Sequence, residues 1–320
     1  MVDNVEPDAP GQSTARNMVD LPALLVRPVV RELEGVLTTL ADERDDYCAN
    51  FGAQWNRFGD IQLDSKSGSR ESHDRFQKET GWSQAQLKGK VLLDAGCGAG
   101  RFAEVALEAG AFVVAVDISA AAYACRQNLS RFPSNQYLVV RASILDLPFR
   151  KHSFDGVYSL GVLQHTPDPL GAVRHLCEFV APNGRLAAWV YEKHPSWQEW
   201  LLPRVWIRAF TAKWSDPTKL SMSKLLTAFF FPVGWLLSWL GRPGQFASWL
   251  LPYAARHHLG RGDLRRQWRY CVLDTFDWYG PEYESRQVES EMRAAMEAGG
   301  LANVRRQKTP GLALVGDQLG

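Results

Sequence analysis

The feature that most constrains this chain is the segment LLDAGCGAGRF, residues 92–102, in which three glycines occupy alternate positions. An apolar run precedes the glycines and an amphipathic stretch follows them, which predicts a strand, a tight loop and a helix. Glycine lets a ligand lie against bare backbone because it has no Cβ. The segment therefore predicts a nucleotide-type ligand at the end of the first core strand.

The residues around the glycines distinguish between kinds of ligand. A dinucleotide loop has the spacing G-x-G-x-x-G, whereas here the third glycine is Gly100, and the phosphate-loop motif ending in G-K-[ST] is absent from the sequence. The carboxylate of Asp94 would repel a pyrophosphate and would suit a ligand that carries an ammonium group. Asp117 ends the next apolar run, where an acid accepts from both ribose hydroxyls. An adenosine with an amino-acid tail fits these residues, and an NAD-dependent oxidoreductase or epimerase is the alternative.

From Lys90 onward, short apolar runs alternate with amphipathic segments of helical length. This alternation predicts an α/β fold with a doubly wound parallel sheet, a C-terminal antiparallel hairpin and a helical cap insertion. The predicted divisions are a disordered tail and degenerate lead-in at 1–39, an aromatic cap segment at 40–89, a ligand-binding core at 90–194, an apolar and basic helical cap at 195–285, and a helix and hairpin completing the core at 286–320.

The core resembles the class I S-adenosylmethionine-dependent methyltransferases over roughly residues 88–192. Their first motif is matched by the aspartate and glycines of DAGCGAG, and their ribose-binding acid by Asp117. The resemblance implies a Rossmann-like sheet and S-adenosylmethionine as the cofactor. Many members carry an acid after the third strand where this chain has Ser143, whose hydroxyl can accept from the adenine amine, and Asp146 is a substitute to consider. The implied donor site consists of Asp94, Gly96, Gly98, Gly100, Asp117, Ile118, Ser143, Ile144 and Leu160.

The flanking segments FGAQWNRF and LDTFDWYGPEY resemble a subgroup of bacterial methyltransferases from small-molecule and cell-envelope polysaccharide pathways. Some of those proteins begin with a small zinc ribbon. The segment LLVRPVVRELE has Arg27 and Val30 where the ribbon cysteines would stand, so we expect no metal site. The resemblance implies methyl transfer to an O or N atom of a small acceptor that is amphipathic, a sugar or a natural product.

Methyl transfer from a sulfonium is an in-line displacement, so few side chains need to be chemical. His165 follows the fourth core strand at the edge where ligands bind and is the first candidate base, although it could instead cap the next helix. Glu192 and His194 follow the fifth strand and are further candidates, with solvated loop charge as the alternative. The aromatic residues expected at the acceptor are Trp55, Tyr191, Trp278 and Tyr279; the last two could equally form a hinge that packs the cap on the core.

The insertion carries an apolar stretch and an excess of basic residues. Residues 225–241 contain no charge, but Pro232 and Gly234 interrupt the run, so it does not predict a transmembrane helix. Residues 201–272 hold eleven Lys and Arg against two Asp. Three interpretations stay open: a lid over an apolar acceptor, a dimer face, or a peripheral membrane contact through 225–269. No RNA-binding motif accompanies the charge, so nucleic acid is not an expected partner.

The composition bounds the remaining expectations. The five cysteines are widely spaced with no C-x-x-C, and the first twenty residues lack a secretory pattern, so we expect a cytoplasmic protein, with the inner membrane face as the peripheral alternative. The expected partner is a small-molecule or lipid-linked acceptor, and an oligomer is compatible with the sequence. Besides the oxidoreductase, a non-catalytic S-adenosylmethionine-binding, membrane-associated protein stays open as an alternative to the enzyme.

Overall fold

A computed structural model describes most of the 320-residue chain. The described residues are 20–40, 58, 61–193, 202–211, 213–254 and 263–320. Within them, the strands are β1 Arg31–Leu33, β2 Val36–Thr38, β3 Val91–Ala95, β4 Phe112–Asp117, β5 Tyr137–Arg141, β6 Phe154–Leu160, β7 Val180–Val190, β8 Leu301–Arg306 and β9 Leu312–Gln318.

Helices alternate with the core strands and dominate the cap. They are α1 Asp64–Ser67, α2 Glu71–Thr80, α3 Gln84–Leu87, α4 Arg101–Glu108, α5 Ala121–Asn128, α6 Pro169–Cys177, α7 Pro203–Thr211, α8 Asp216–Ser238, α9 Arg242–Trp249, α10 Leu264–Tyr279 and α11 Glu289–Ala298. Three single-turn 3₁₀ helices lie at Pro22–Leu24, Leu129–Arg131 and Leu163–His165.

One mixed sheet contains all of the described strands, in the order β1-β2-β5-β4-β3-β6-β7-β9-β8. The five central strands β5, β4, β3, β6 and β7 are parallel, and β9 is antiparallel to both β7 and β8. The parallel strands read as near-continuous apolar runs because both of their faces are covered by helices. The predicted doubly wound α/β fold with a C-terminal hairpin and a helical cap is confirmed.

Two apolar cores lie on opposite faces of this sheet. Helices α6 and α11 cover one face. Helices α4 and α5 and the aromatic lead-in cover the other, where Phe76 packs edge-on against Tyr158 and stacks on Trp82. The carboxyl ends of β3, β4, β6 and β7 consequently meet at one edge of the sheet, as is usual for ligand-binding parallel sheets.

The structure differs from the sequence predictions at three elements. Residues 31–38, predicted as part of a degenerate lead-in, form the β1–β2 hairpin, which extends the sheet by pairing β2 in parallel with β5. The apolar run RLAAWVY predicts a strand that starts at Arg185, whereas β7 begins five residues earlier, at Val180, and Asn183 within it adopts a left-handed backbone with φ of 61°. Helix α8 continues through Pro232, so the prediction that this proline interrupts the apolar run is wrong.

Helix α8 changes the membrane argument made from sequence. With 23 residues it is, by length and composition alone, long and apolar enough to cross a bilayer, and it is the one such helix among the described residues. Only 17% of its apolar window is buried inside the protein, so it is not an ordinary core helix. One side of it packs against α10, where Lys219 Nζ donates to the carbonyl oxygen of Gly280 directly after that helix, and Phe230 stacks on Tyr253 in the segment between α9 and α10.

Candidate active site

The glycine loop joins β3 to α4 at the carboxyl edge of the sheet. Gly96, Gly98 and Gly100 all adopt left-handed backbone conformations, with φ of 95°, 52° and 88°. A Cβ on Gly96 would lie 2.4 Å from Cγ1 of Val162, closer than real Cβ contacts. Glycine is therefore required at Gly96 both by its backbone conformation and by the approach of the loop that follows β6.

Asp117 fixes the loop from the neighbouring strand. Its Oδ2 accepts from the backbone N–H of Gly98 at 2.9 Å. Its Oδ1 accepts from the backbone N–H and the hydroxyl of Ser119 at 2.9 and 2.7 Å. A carboxylate has about four acceptor positions, so these three bonds leave capacity for a further donor such as a ribose hydroxyl. Burial raises the pKa of Asp117 despite the donors that oppose the shift.

Asp94 is the most unusual carboxyl group at this edge. It is 2% exposed, and its Oδ2 has no hydrogen-bond partner among the described residues. Burial, with a smaller contribution from the charge of Asp117, raises the pKa of Asp94 to about 8, although the neighbouring Tyr158 hydroxyl opposes the shift. A cationic ligand group would stabilise the ionised form, because an opposite charge offsets the cost of desolvation. The group fits the ammonium of an amino-acid-bearing adenosine.

The residues predicted to hold the adenine follow β4, β5 and β6. Ile144 and Leu160 are buried and Ile118 is half-buried. The hydroxyl of Ser143 accepts from the backbone N–H of Leu145 at 3.2 Å, which closes the turn after β5. Their role in holding the adenine stays a prediction.

Asp146 does not serve as the substitute acid considered from sequence. Both of its oxygens accept from the guanidinium of Arg27, and its side chain is 65% exposed. The pairing lowers the pKa of Asp146, mainly through this hydrogen bond. Asp146 therefore joins the N-terminal segment to the core through Arg27.

Two arginines lie beside the glycine loop: Arg75, for which the sequence offers a role at a ligand carboxylate or a place on a surface helix, and Arg101, which the sequence did not assign to the site. Arg101 is buried, donates from Nε to the Ser72 hydroxyl at 2.9 Å, and has Nη2 3.7 Å from Glu71 Oε1, beyond hydrogen-bond reach. Burial lowers the pKa of Arg101, and the charge of Arg75 adds to the effect. Arg75 donates to Glu79 and lies 4.7 Å above the ring of Trp189. Arg101 directly follows the third glycine, so its position in the sequence already indicates positive charge beside the glycine loop.

His165 lies in a buried polar cluster next to the donor loop. Its Nδ1 is 3.0 Å from the carbonyl oxygen of Tyr283, so Nδ1 carries the hydrogen and donates. Tyr191, at the end of β7, meets the His165 ring edge-on at 5.7 Å and donates from its hydroxyl to Asp277 Oδ2 at 2.8 Å. Burial raises the pKa of Asp277, and the nearby His165 opposes that shift. Val162 connects this cluster to Gly96, so the cluster and the glycine loop are contiguous.

Three of the predicted acceptor-side residues have other roles in the structure. Both carboxylate oxygens of Glu192 accept from Arg306, at 2.8 and 2.7 Å, so we correct the assignment of Glu192 as a base. Tyr279 is fully buried and donates to the carbonyl oxygen of Pro252 at 3.0 Å. The ring of Trp278 lies 4.9 Å from the guanidinium carbon of Arg204.

These contacts place Trp278 and Tyr279 inside the cap, where they join α10 to its neighbours. Two other predicted residues, Trp55 and His194, lie outside the described residues.

Comparison with known proteins agrees with this geometry. Residues 93–188 match the family model described as a methyltransferase domain. The ubiquinone biosynthesis O-methyltransferase of Pseudomonas fluorescens (strain SBW25) is 30% identical over 138 residues, which is 41% of this chain and 58% of that protein. The enzyme of the same name from Neisseria meningitidis serogroup C (strain 053442) is 30% identical over 152 residues, 45% of this chain and 62% of that protein. The chain thus spans about three fifths of the length of these relatives.

Two further proteins complete the comparison. The O-methyltransferase resE of Aspergillus sclerotiorum is 31% identical over 117 residues, 36% of this chain and 44% of that protein. Among solved structures, magnesium protoporphyrin IX methyltransferase from Synechocystis PCC 6803 with bound SAH is 18% identical, covers 86% of this chain and 97% of its own, and has a TM-score of 0.47.

Residues 93–188 match a methyltransferase domain, and the glycine loop and the sheet order fit S-adenosylmethionine as the cofactor. The buried Asp94 and the three left-handed glycines fit that cofactor and not a pyrophosphate, which disfavours the dinucleotide alternative.

Proposed function

We propose that this protein transfers a methyl group from S-adenosylmethionine to a hydroxyl oxygen of a small, amphipathic acceptor. The observation that carries the proposal is the contact of two sites: the His165 loop packs onto the glycine loop through Val162, and His165 itself lies against the buried Tyr191–Asp277 pair. The relatives that match the chain are O-methyltransferases by name, which supports oxygen over nitrogen.

The donor side would be held by charge and by shape. Asp117 is positioned to accept from ribose hydroxyls, Asp94 to balance the ammonium, and Arg101 with Arg75 to supply positive charge for the carboxylate. The bound cofactor supplies an electrophilic methyl group. Because the three glycines of the loop have no side chains, the protein can hold that methyl group close to the His165 loop.

His165 is the general base in this proposal. Since Nδ1 donates to the Tyr283 carbonyl, Nε2 is the ring nitrogen that would accept the proton. The proton of the acceptor hydroxyl passes to Nε2 as the oxygen–methyl bond forms and the carbon–sulfur bond breaks. The Tyr191–Asp277 pair lies against the ring, and the carboxyl of Asp277 stabilises the imidazolium that results.

The acceptor is expected to have an apolar part. The acceptor side of the cluster is built from Tyr191, Trp189 and the cap helix α10, which places aromatic side chains beside the base. An acceptor that joins a hydroxyl-bearing ring to an apolar tail fits this mixture of apolar walls and one polar cluster.

The proposal is tested with purified full-length protein and methyl-labelled S-adenosylmethionine. We expect label in catechols that carry an apolar tail, less in untailed catechol, and none in the matching anilines. S-adenosylhomocysteine binding, measured separately by calorimetry, reports on the donor site alone. If the protein binds S-adenosylhomocysteine but labels no hydroxyl compound, the non-catalytic donor-binding alternative replaces the proposal.

A further inference from the structure

Helix α8 has its polarity reversed relative to a helix on a water-exposed surface. Its fully buried positions are Lys219, Ser223, Thr227 and Gly234, which are polar or small. Large apolar positions are exposed instead: Leu225 and Phe229 by 71 and 73%, and Trp239, directly after the helix, by 73%. A surface helix normally places its apolar stripe inward and its polar side outward. The outward side of α8 therefore matches an apolar environment and not water.

The exposed apolar side chains form one continuous stripe. At about 100° per residue they fall within a sector of about 120°, and the buried positions fall on the opposite side. The stripe extends over most of a helix that is about 35 Å long. We name it the α8 face, and its members are Leu225, Phe229, Val233, Leu236, Trp239 and Leu240.

The two helices on either side of α8 repeat the reversal. In α7, Phe210 is 78% exposed while the adjacent Thr211 is buried. In α9, Phe246 is 65% exposed while Ser248 is buried. Exposed aromatic residues on three successive helices are more than the scattered apolar residues that a soluble surface normally carries.

The charges around the α8 face select an anionic partner. No Asp or Glu occurs in the sequence between Asp216 and Asp263, whereas lysine and arginine recur through that segment. Lys213, before α8, and Arg242, after it, are both exposed. Basic residues that flank an apolar stripe are typical of helices that lie in the headgroup region of anionic membranes.

A second copy of the chain fits this surface less well. A two-fold interface brings the same patch of each subunit together, so it would place two basic segments against each other. A helix that crosses the bilayer also fits less well, because Lys219 and the carbonyl oxygen of Gly280 tie one side of α8 to α10. Only the outward side of the helix is available to lipid.

We propose that the α8 face seats the protein on the surface of an anionic lipid bilayer, with α8 lying in the membrane plane. The inference is independent of the proposed methyl transfer, because membrane binding requires no turnover. It identifies the lipid surface as the occupant among the three interpretations that the sequence left open.

The test is co-sedimentation of the full-length protein with phosphatidylcholine vesicles, with and without phosphatidylglycerol. We expect binding to the anionic vesicles that weakens at high salt, because screening removes the contribution of the basic residues. The double variant Phe229→Asp/Leu236→Asp should lower the partition coefficient by at least about tenfold, since each change removes a large apolar contact and adds a repelled charge. Leu319→Asp, at an apolar residue that is 63% exposed near the C-terminus, is the matched control and should bind as wild type does.

Unchanged S-adenosylhomocysteine binding in both variants shows that they fold. The proposal is overturned if the wild type stays in the supernatant with anionic vesicles, or if Leu319→Asp loses as much binding as the double variant. It is also overturned if, without lipid, the wild type is a dimer that the double variant dissociates while vesicle binding is absent. That result would assign the α8 face to a second copy.

Discussion

We name the carboxyl edge of the sheet around the glycine loop the donor edge. The donor edge and the cap of this protein use the same kinds of residue in opposite ways. At the donor edge, charged groups such as Asp94 and Arg101 are buried and apolar strands are covered on both faces. In the cap, polar residues of α8 such as Ser223 and Thr227 are buried while Phe229 and Leu236 are exposed. Buried charge at the donor edge indicates a ligand that compensates it, and exposed apolar surface in the cap indicates an apolar partner.

The comparison also separates what each region needs in order to function. The donor edge depends on positions fixed to within a few tenths of an ångström, since the loop at Gly96 has no room for a methyl group. Binding through the α8 face depends on its total apolar area and on the surrounding charge, so a single substitution there should change binding little. Substitutions at the donor edge should therefore have larger effects than conservative substitutions elsewhere.

The largest expected effect is that of Gly96→Ala. The new Cβ would lie 2.4 Å from Val162, and the alanine would have to adopt a φ of 95°. The loop must therefore move. We expect S-adenosylhomocysteine affinity to fall by about a hundredfold or more, because a displacement of about 1 Å at such a site has effects of that size. Isothermal titration calorimetry measures it.

Gly68→Ala is the matched control for this change. Gly68 has a φ of 66° but nothing within 4 Å of its hypothetical Cβ, so it carries the backbone cost without the clash. It should lower stability slightly and leave donor affinity unchanged. Equal losses of affinity in the two variants would show that the approach of Val162 is not what restricts the loop.

His165→Ala should have an effect of comparable size, on turnover and not on donor binding. Loss of the base is expected to lower kcat by about 10²–10⁴-fold while S-adenosylhomocysteine affinity stays at the wild-type value. His152→Ala is the control, because His152 also donates from Nδ1 to a backbone carbonyl, that of Val180, but lies before β6 at the opposite edge of the sheet. Wild-type turnover in His165→Ala would reject His165 as the base.

The position of Asp94, the three glycines and Asp117 at the carboxyl edge of the sheet could be predicted because they are close together in the chain. The strand, the glycines and Asp94 occupy one short segment, and Asp117 ends the next strand. The pairing of Tyr191 with Asp277 joins residues 86 positions apart and depends on how the cap docks. No local pattern reports such a contact, and for the same reason the hinge role of Tyr279 was not distinguished from an acceptor role.

The prediction for the cap was wrong at Pro232, where α8 does not follow the usual helix-breaking effect of proline. Proline usually ends a helix because it lacks an N–H and its ring crowds the preceding turn. Helix α8 nevertheless continues through Pro232, with its inner side packed on α10 and Tyr253. The β1–β2 hairpin was missed because its strands have three residues each, too few to show a period, and β1 is fully exposed.

Asp94→Asn should weaken S-adenosylhomocysteine binding by about tenfold, since a neutral amide cannot balance the ligand's ammonium group. In the wild type, affinity should rise as the pH increases toward about 8, because binding requires the ionised form of a group whose ligand-free pKa is about 8. Binding should release a proton, which calorimetry in buffers of different ionisation enthalpy detects. The asparagine variant should show neither effect, and a persisting pH dependence would locate the proton elsewhere.

The same shift affects the stability of the ligand-free protein. Because the folded pKa of Asp94 lies above its unfolded value of 3.8, its contribution to stability is complete below that value and is lost as the pH rises toward about 8. The midpoint temperature of thermal unfolding of the ligand-free wild type should therefore decrease over this pH range more steeply than that of Asp94→Asn. Equal slopes in the two proteins would mean that Asp94 is ionised in the folded state.

The smallest expected effects come from Tyr191 and Tyr279, which the sequence analysis both expected at the acceptor. Tyr191→Phe removes the donor to Asp277 beside the base and should lower kcat by a few-fold with little change in donor affinity. Tyr279→Phe removes the donor to the Pro252 carbonyl inside the cap and should cost about 1 kcal/mol of stability with kcat unchanged. Steady-state kinetics and denaturant unfolding of both variants measure the two effects. If Tyr279→Phe lowered kcat and Tyr191→Phe did not, the acceptor site would lie within the cap and not at the His165 cluster, because the hydroxyl that matters would then be the one bonded to Pro252.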